Sequence, residues 1–291
     1  MAIQQMLFSA GGGKVLPEWL DALLIAGGGT NYLYGTSNSG GGGIVSFTDH
    51  SSTNTSGTPW NFTDTTYDFS GTWNVYPGAV STDSYMTAAL AGGGVQNPAK
   101  SVTAIAGGDA PANDTVGNSG GSGSGGGKGT WSAGAAGGTG TLTGYGGLSQ
   151  QGNSGGAGWY ATEYGTGKYG GGGGFAAQGG TGYAYGYTDH GTAGVGSNAS
   201  NTSTNHYIWL GISDDSSYTG EFSQGGDRRA AAEGHWMTAK PGDGGEAGLI
   251  AIRYSSEVED PTVTGSPSFY TDTTNSKRIA VWTQNGTFTW G

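Results

Sequence analysis

The stretch that decides the fold is Gly117-Asn-Ser-Gly-Gly-Ser-Gly-Ser-Gly-Gly-Gly127, and glycine stays frequent from there to Gly196. The whole sequence has 64 glycines in 291 residues, which is about three times the usual share. Glycine loses more conformational freedom on folding than any other residue, so order here requires backbones that pack too closely for side chains. Trp131, Tyr145 and Trp159 interrupt the glycines at irregular intervals, unlike a flexible Gly/Ser linker. The sequence therefore predicts an ordered glycine-rich core.

The spacing of the glycines suggests how such a core is built. Collagen requires glycine at every third position and abundant proline, and this chain has only 8 prolines and no such strict repeat. Polyproline II helices also have three residues per turn, and they can pack side by side where glycines face the neighbouring helices. Glycines with partial three-residue spacing occur at 137–140, 144–147 and 152–158. We therefore expect short polyproline-II-like glycine helices with tight turns, capped by aromatic side chains; a plain β-sandwich with glycine-rich loops is the alternative.

Short apolar segments run directly into glycines at several places. Leu24-Ile-Ala-Gly-Gly-Gly29, Ala89-Leu-Ala-Gly-Gly-Gly94 and Ala104-Ile-Ala-Gly-Gly108 share this form. Gly248-Leu-Ile-Ala-Ile-Arg-Tyr254 is typical of a buried strand, and the alternation from Tyr67 to Val75 is typical of a half-exposed one. The predicted fold class is mainly β and irregular, with a glycine-rich core of short strands and little α-helix.

Three regions follow from this pattern. Residues 1–20 form an N-terminal docking leader, residues 21–256 form the glycine-rich core domain with aromatic loops, and residues 257–291 form a C-terminal linker and β-hairpin. The hairpin is predicted from two alternating runs, Arg278 to Thr283 and Thr287 to Trp290, separated by Gln284-Asn285-Gly286. Asn-Gly between such runs is a strong hairpin signal.

Composition excludes several classes of protein. The absence of cysteine rules out disulfides and thiolate metal sites. No window of about 18 apolar residues occurs, so we expect no membrane insertion, and the first residues lack the basic segment and apolar run of a secretory signal. The net charge of −11 argues against nucleic acid as a partner. Aliphatic residues are few, and a core this thin is often completed by oligomerisation.

Two motifs resemble catalytic or phosphate-binding sites, but neither predicts such a site here. Gly152-Asn-Ser-Gly-Gly156 matches G-x-S-x-G, but the strand before and helix after the nucleophile that this motif needs are not predicted. Gly121 to Thr130 resembles a phosphate loop, but Gly129 follows Lys128 where the motif needs Ser or Thr. We predict no catalytic residue, no cofactor, no metal site and no enzyme. A structural calcium at Asp189-His190 or Asp214-Asp215 stays open.

Aromatic residues cluster near the end of the glycine-rich stretch and just after it. Aromatic faces stack on sugar rings, while neighbouring Asn, Asp and Thr side chains can bind hydroxyl groups. The alternative is that these rings cover the glycine core, which has no other side chains to bury. The predicted receptor-binding residues are Tyr183, Tyr185, Tyr187, Tyr207, Trp209, Tyr218 and Trp236.

The order of these sequence motifs resembles that in the glycine-rich proteins of phage tail fibres and related virion appendages. The matching pieces are Leu23–Gly29, Gln151–Gly158, Gly170–Ala177 and the closing strand Glu246–Tyr254. The resemblance covers about residues 21–256, and the closing strand is its most specific part. Those proteins also carry a Gly-Thr-Phe-Thr phrase before the core, whereas here it follows the core.

The resemblance implies a non-enzymatic phage protein displayed on the virion surface. The leading expectation is a tail-fibre or tail-tip adhesin that binds a host cell-surface glycan or outer-membrane protein. The alternative is a structural capsid-decorating or tail-assembly protein, docked to other virion proteins through the leader and the hairpin. By analogy with phage fibres, a homotrimer is favoured.

Two further classes have less support. An ice-binding glycine-helix protein needs a sustained three-residue period and a flat threonine face. A depolymerase needs an exposed carboxylate pair, for which the nearest candidates are Asp214-Asp215, Asp227 and Glu233.

Overall fold

A computed structural model describes residues 17, 20–30, 39–47, 71–88, 101–112, 114–127, 134–141, 151–161, 166–168, 172–174, 246–272 and 276–290. This part of the chain contains twelve β-strands and no α-helix, so the prediction of a mainly β fold with little helix is confirmed. It accordingly holds no helix long and apolar enough to span a membrane. In chain order the strands are β1 (Asp21–Ile25), β2 (Ile44–Phe47), β3 (Trp73–Tyr76), β4 (Ser84–Ala88), β5 (Ser101–Ala104), β6 (Trp159–Ala161), β7 (Thr166–Lys168), β8 (Leu249–Ser255), β9 (Thr262–Thr264), β10 (Ser268–Asp272), β11 (Lys277–Trp282) and β12 (Gly286–Thr289).

Ten of these strands form two five-stranded sheets, in which all pairings are antiparallel. The first sheet has the order β10-β11-β8-β1-β2, and the second has the order β5-β4-β3-β12-β9. The remaining two strands, β6 and β7, pair only with each other. The predicted closing strand is β8, and it lies at the centre of the first sheet, opposite β1 and β11.

The two sheets share one hydrophobic core. Aliphatic side chains from β1 and β8 of the first sheet meet large aromatic side chains of the second. Phe288 stacks against Trp73 with ring centroids 6.4 Å apart and meets Trp290 edge-on at 5.6 Å. Tyr254 of the first sheet contacts Trp290 edge-on at 5.2 Å. Because such aromatic pairs bury large areas, they compensate for the small number of aliphatic residues.

The central strands of the first sheet are buried on both faces. All five residues of β1 are buried, as are the first six residues of β8. Asp21 and Arg253 are among them, and the Arg253 guanidinium forms an ion pair with the Asp21 carboxylate. The near-continuous apolar runs of β1 and β8 are typical of strands with no solvent-facing side.

The predicted C-terminal hairpin is wrong. β11 and β12 belong to different sheets, so the chain between Trp282 and Gly286 crosses from one sheet to the other. The two-residue hairpin turn that Asn-Gly favours needs positive φ at both residues, and neither Asn285 nor Gly286 has it. The crossing is favoured because Trp282 and Phe288 then enter the same core from opposite sheets, with ring centroids 5.9 Å apart.

Residues after 257 are built into both sheets. β11 lies between β10 and β8, while β12 lies between β3 and β9. The Tyr254 hydroxyl on β8 donates to Asp260 Oδ1 at 2.6 Å, and Arg278 Nη2 on β11 donates to Asp260 Oδ2 at 2.7 Å. Strands and side chains of this region therefore contact β3 and β8 directly.

Candidate functional site

Beyond the ends of β1 and β5 the chain continues as extended glycine-rich segments, which we call the glycine bundle. Its members are residues 26–30, 39–43, 105–110, 115–127, 134–141, 151–158 and 172–174. Backbone hydrogen bonds between its segments recur every third residue. The N–H groups of Ala135, Gly138 and Thr141 donate to the carbonyls of Gly127, Ser124 and Gly121, at 3.1, 2.8 and 3.1 Å.

Within one segment, successive residues bond to different neighbouring parts of the chain, as the segment after β1 shows. Ala26 and Gly29 donate to the carbonyls of Gly43 and Gly40, whereas Gly27 and Gly28 donate to Thr82 and Glu246. In such a segment successive residues bond to different neighbours, and the bonds return to the same neighbour after three residues. This three-residue period is that of polyproline II, whereas a β-strand has a period of two. The predicted packing of glycine-rich three-residue helices is confirmed over the described segments.

Glycine is required in the bundle because neighbouring segments pack closely, not because the backbone adopts a conformation that favours glycine. A Cβ on Gly123, Gly126 or Gly155 would lie less than 3.0 Å from backbone atoms of a neighbouring segment. Among the glycines that the structure describes, only Gly265 has a positive φ, at 78°. At these glycines the interfaces between segments thus have no room for a side chain.

One end of the bundle points away from the sheets. Thr30 is five residues past the end of β1, and its carbonyl accepts from the Ala110 N–H at 2.9 Å. At the same end the Gly127 N–H donates to Thr115 and the Gly158 N–H donates to Ala135. Thr30, Gly127 and Gly158 therefore lie at the end of the bundle opposite the two five-stranded sheets.

A polar cluster lies on the bundle surface at Asp109. The N–H and the Oγ1 of Thr30 donate to Asp109 Oδ1 at 2.7 and 2.8 Å, and Ser81 Oγ donates to the same oxygen. Burial of the carboxyl opposes ionisation, but the hydrogen bonds from Ser81 and Thr30 outweigh it and hold the pKa of Asp109 below its ordinary value. The cluster links three separate segments, which indicates a structural role.

The outward side chains of the second sheet form what we call the threonine face. They alternate with core residues such as Val75 and Met86. Next to the turn between β3 and β4, Tyr76 and Tyr85 lie opposite each other, with ring centroids 4.4 Å apart and an interplanar angle of 20°. The face consists of Asn74, Tyr76, Tyr85, Ser101, Thr103, Thr262, Thr264, Thr287 and Thr289, and Thr87 on the same side of the sheet is buried.

The seven aromatic residues predicted to bind a receptor lie outside the described residues, between 183 and 236. The four histidines, Lys128 and the candidate calcium ligands also lie outside them. Ser154, of the apparent G-x-S-x-G motif, lies in a bundle segment, where the Gly140 N–H donates to its Oγ at 3.4 Å. Within the described ranges no group of three His, Cys, Asp or Glu side chains is placed to hold a metal ion.

The sequence does not predict the contact between Tyr76 and Tyr85. Alternation along each strand places both on the outward face, but their contact depends on the register between β3 and β4. No family model, curated protein or solved structure matches this chain.

Proposed function

We propose that this chain is a non-enzymatic virion protein of a phage, and specifically a tail-fibre or tail-tip adhesin that binds a receptor on the host surface. The glycine bundle carries the proposal. Its segments are hydrogen-bonded to one another on several sides, and its glycines leave no space for side chains at the interfaces.

A bundle of this kind is suited to presenting chain segments on a rigid base. Binding sites are commonly carried by connecting segments on a rigid scaffold, and rigidity reduces the entropy lost when a receptor is bound. Thr30 and Gly127 lie at the end of the bundle opposite the two five-stranded sheets. The aromatic residues from 183 to 236, which lie between Gly174 and Glu246 in the sequence, are the proposed receptor-binding residues.

The first test is attachment of the purified full-length chain to cells. Fluorescently labelled protein should bind susceptible cells saturably and should reduce phage adsorption in competition. Tyr185→Ala and Trp209→Ala should weaken both effects, while Tyr270→Ala, a substitution on β10 of the first sheet, serves as the matched control. Absence of saturable binding, with the protein found on the capsid or within the tail, would favour a structural assembly role instead.

A further inference from the structure

The sequence contains a single Asn-Gly pair, Asn285-Gly286, and the structure does not use it as a hairpin turn. Neither residue has the positive φ that such a turn requires. Asn285 is exposed where the chain crosses from the first sheet to the second, and Gly286 begins β12. The pair therefore places an exposed asparagine directly before a residue that has no side chain.

An Asn-Gly pair carries the groups for an intramolecular reaction. The backbone nitrogen of Gly286 attacks Cγ of Asn285, the new N–Cγ bond closes a succinimide ring, and the side-chain amide leaves as ammonia with the proton of the Gly286 N–H. Because glycine has no Cβ, the approach of its nitrogen is unhindered. Water then opens the ring. Hydrolysis at Cγ gives aspartate, whereas hydrolysis at the former backbone carbonyl carbon gives isoaspartate, in which the main chain runs through Cβ and Cγ.

The surroundings of the pair have no space for a longer main chain. A Cβ on Gly286 would lie 2.3 Å from the Thr264 carbonyl oxygen and 2.8 Å from the Trp282 indole. A Cβ on Gly265 would lie 2.3 Å from the Asn285 carbonyl oxygen. These neighbours are themselves fixed, since Trp282 Nε1 donates to the Thr264 carbonyl at 3.0 Å. A methylene added to the main chain here therefore displaces β12, because a close-packed region transmits such a strain.

The strand that follows the pair carries much of the aromatic core. Phe288 and Trp290 are completely buried, and Phe288 stacks against Trp73 of β3. The Trp290 indole Nε1 donates to the Glu259 carbonyl at 3.0 Å. Because successive residues of a strand face opposite sides, a shift of β12 by one residue would turn Phe288 away from the core. A change in main-chain length directly before β12 thus acts on the packing of both sheets.

We propose that Asn285 is a site of spontaneous deamidation and that the isoaspartate form no longer holds β12 between β3 and β9. The aspartate product has a main chain of normal length and a carboxylate at an exposed position, so it keeps β12 in place. The modification acts through main-chain length rather than through charge, and it makes the fold less stable as the protein ages. The adhesin proposal rests on residues 183–236 and is independent of it.

The experiment ages the full-length chain in mildly alkaline buffer and follows deamidation by peptide mapping with mass spectrometry. Asn118 and Asn153 are internal controls, because each precedes a serine and donates its side-chain amide to a carbonyl, that of Asp109 or of Gly174. The peptide that contains Asn285 should deamidate before the peptides of these two residues. It should also accept a methyl group from an isoaspartyl methyltransferase, which identifies isoaspartate. The isoaspartyl fraction, separated by ion exchange, should melt about 5 °C or more below the fresh protein.

Two variants separate main-chain length from charge and from ageing at other sites. Fresh Asn285→Asp has the charge of the product but a normal main chain, so it should melt like the parent. Asn285→Gln lacks the side-chain length that closes a succinimide ring, so it should lose no stability when aged beside the parent. The proposal is overturned if Asn285 deamidates no faster than Asn118 and Asn153, or if the isoaspartyl fraction melts like the fresh parent. An equal loss of stability in fresh Asn285→Asp or in aged Asn285→Gln would overturn it as well.

Discussion

Asp21 and Arg253, 232 positions apart in the sequence, lie opposite each other on β1 and β8 and form a buried ion pair. Arg253 Nε donates to Asp21 Oδ2 at 2.8 Å, and both side chains are almost completely shielded from solvent. The pair joins the strand that enters the glycine bundle to the central strand of the first sheet. It therefore fixes the register of the first sheet at its centre.

Removing one member of this pair should be strongly destabilising. Asp21→Ala should lower the free energy of unfolding by about 3–5 kcal/mol, because it leaves the Arg253 charge buried without that carboxylate. Urea unfolding followed by tryptophan fluorescence measures the change. The double substitution Asp21→Leu/Arg253→Met should recover most of the loss, since a buried pair replaced by apolar side chains is often neutral. Equal losses in the single and double variants would contradict this account.

Alanine in the bundle should also be poorly tolerated. A Cβ on Gly126 would approach the backbone of Ala135 and Ala136 closer than 3.0 Å, whereas a Cβ on Gly71 would meet nothing within 4 Å. Gly126→Ala should therefore lower the free energy of unfolding by about 2–3 kcal/mol or more. Gly71→Ala is the matched control and should be neutral or stabilising by up to about 1 kcal/mol. Both values come from denaturant unfolding of the same preparation, and similar effects at the two sites would argue against close packing as the reason for glycine.

The glycine bundle and the strands β1, β5 and β8 could be predicted from the sequence, because their signals are local. An apolar run that ends in glycines indicates a strand entering a tightly packed region, and this holds at Ile25 and at Ala104. Strand partners could not be predicted. Asn285-Gly286 favours a hairpin locally, but core filling by Trp282 and Phe288 from opposite sheets prevails over that preference.

The described candidate sites depend on contacts between distant parts of the chain. The Asp109 cluster joins Thr30, Ser81 and Asp109, which no local pattern connects. Likewise, Tyr76 and Tyr85 become a pair only through the register of β3 and β4. Composition could indicate that aromatic and threonine side chains would supply binding chemistry, but the sheet topology decides which of them meet.

Substitution by alanine should have opposite effects on stability at two buried serines. Ser122 Oγ is buried in the bundle and has no hydrogen-bond partner among the described residues, whereas Ser84 Oγ accepts from the Gly78 N–H and donates to the Ile25 carbonyl, both at 2.7 Å. Ser84→Ala should cost about 1–3 kcal/mol, because the Gly78 N–H and the Ile25 carbonyl lose their partner. Ser122→Ala should be neutral or stabilising, since it removes an unsatisfied hydroxyl. Thermal and urea unfolding distinguish the pair, and a loss at Ser122 comparable to that at Ser84 would point to a partner such as buried water.

Asp109 should make stability depend on acid pH. Because its folded pKa lies below the ordinary value of 3.8, the unfolded chain binds more protons, and stability rises with pH across that interval. The contribution is present above the ordinary pKa and is lost as pH falls through the folded pKa. Urea unfolding of the parent and of Asp109→Asn between about pH 3 and about pH 7 should give a difference that is largest near neutrality and shrinks in acid. Ser81→Ala, which removes one donor, should reduce the same pH dependence; a difference independent of pH would contradict the assignment.

Truncation after Thr283 tests whether the last residues are part of the fold. β12 is an internal strand of the second sheet, and Phe288 and Trp290 are completely buried. Loss of either large aromatic side chain from a core costs about 3–5 kcal/mol, and the two together approach the total stability of a typical domain, about 5–15 kcal/mol. The truncated chain should therefore lose its cooperative unfolding transition in circular dichroism, while Thr262→Ala on the exposed edge strand should stay within about 0.5 kcal/mol of the parent. Adding a synthetic peptide of residues 284–291 should restore part of the transition. A truncated chain that unfolds like the parent would instead show that these residues form a separable docking element.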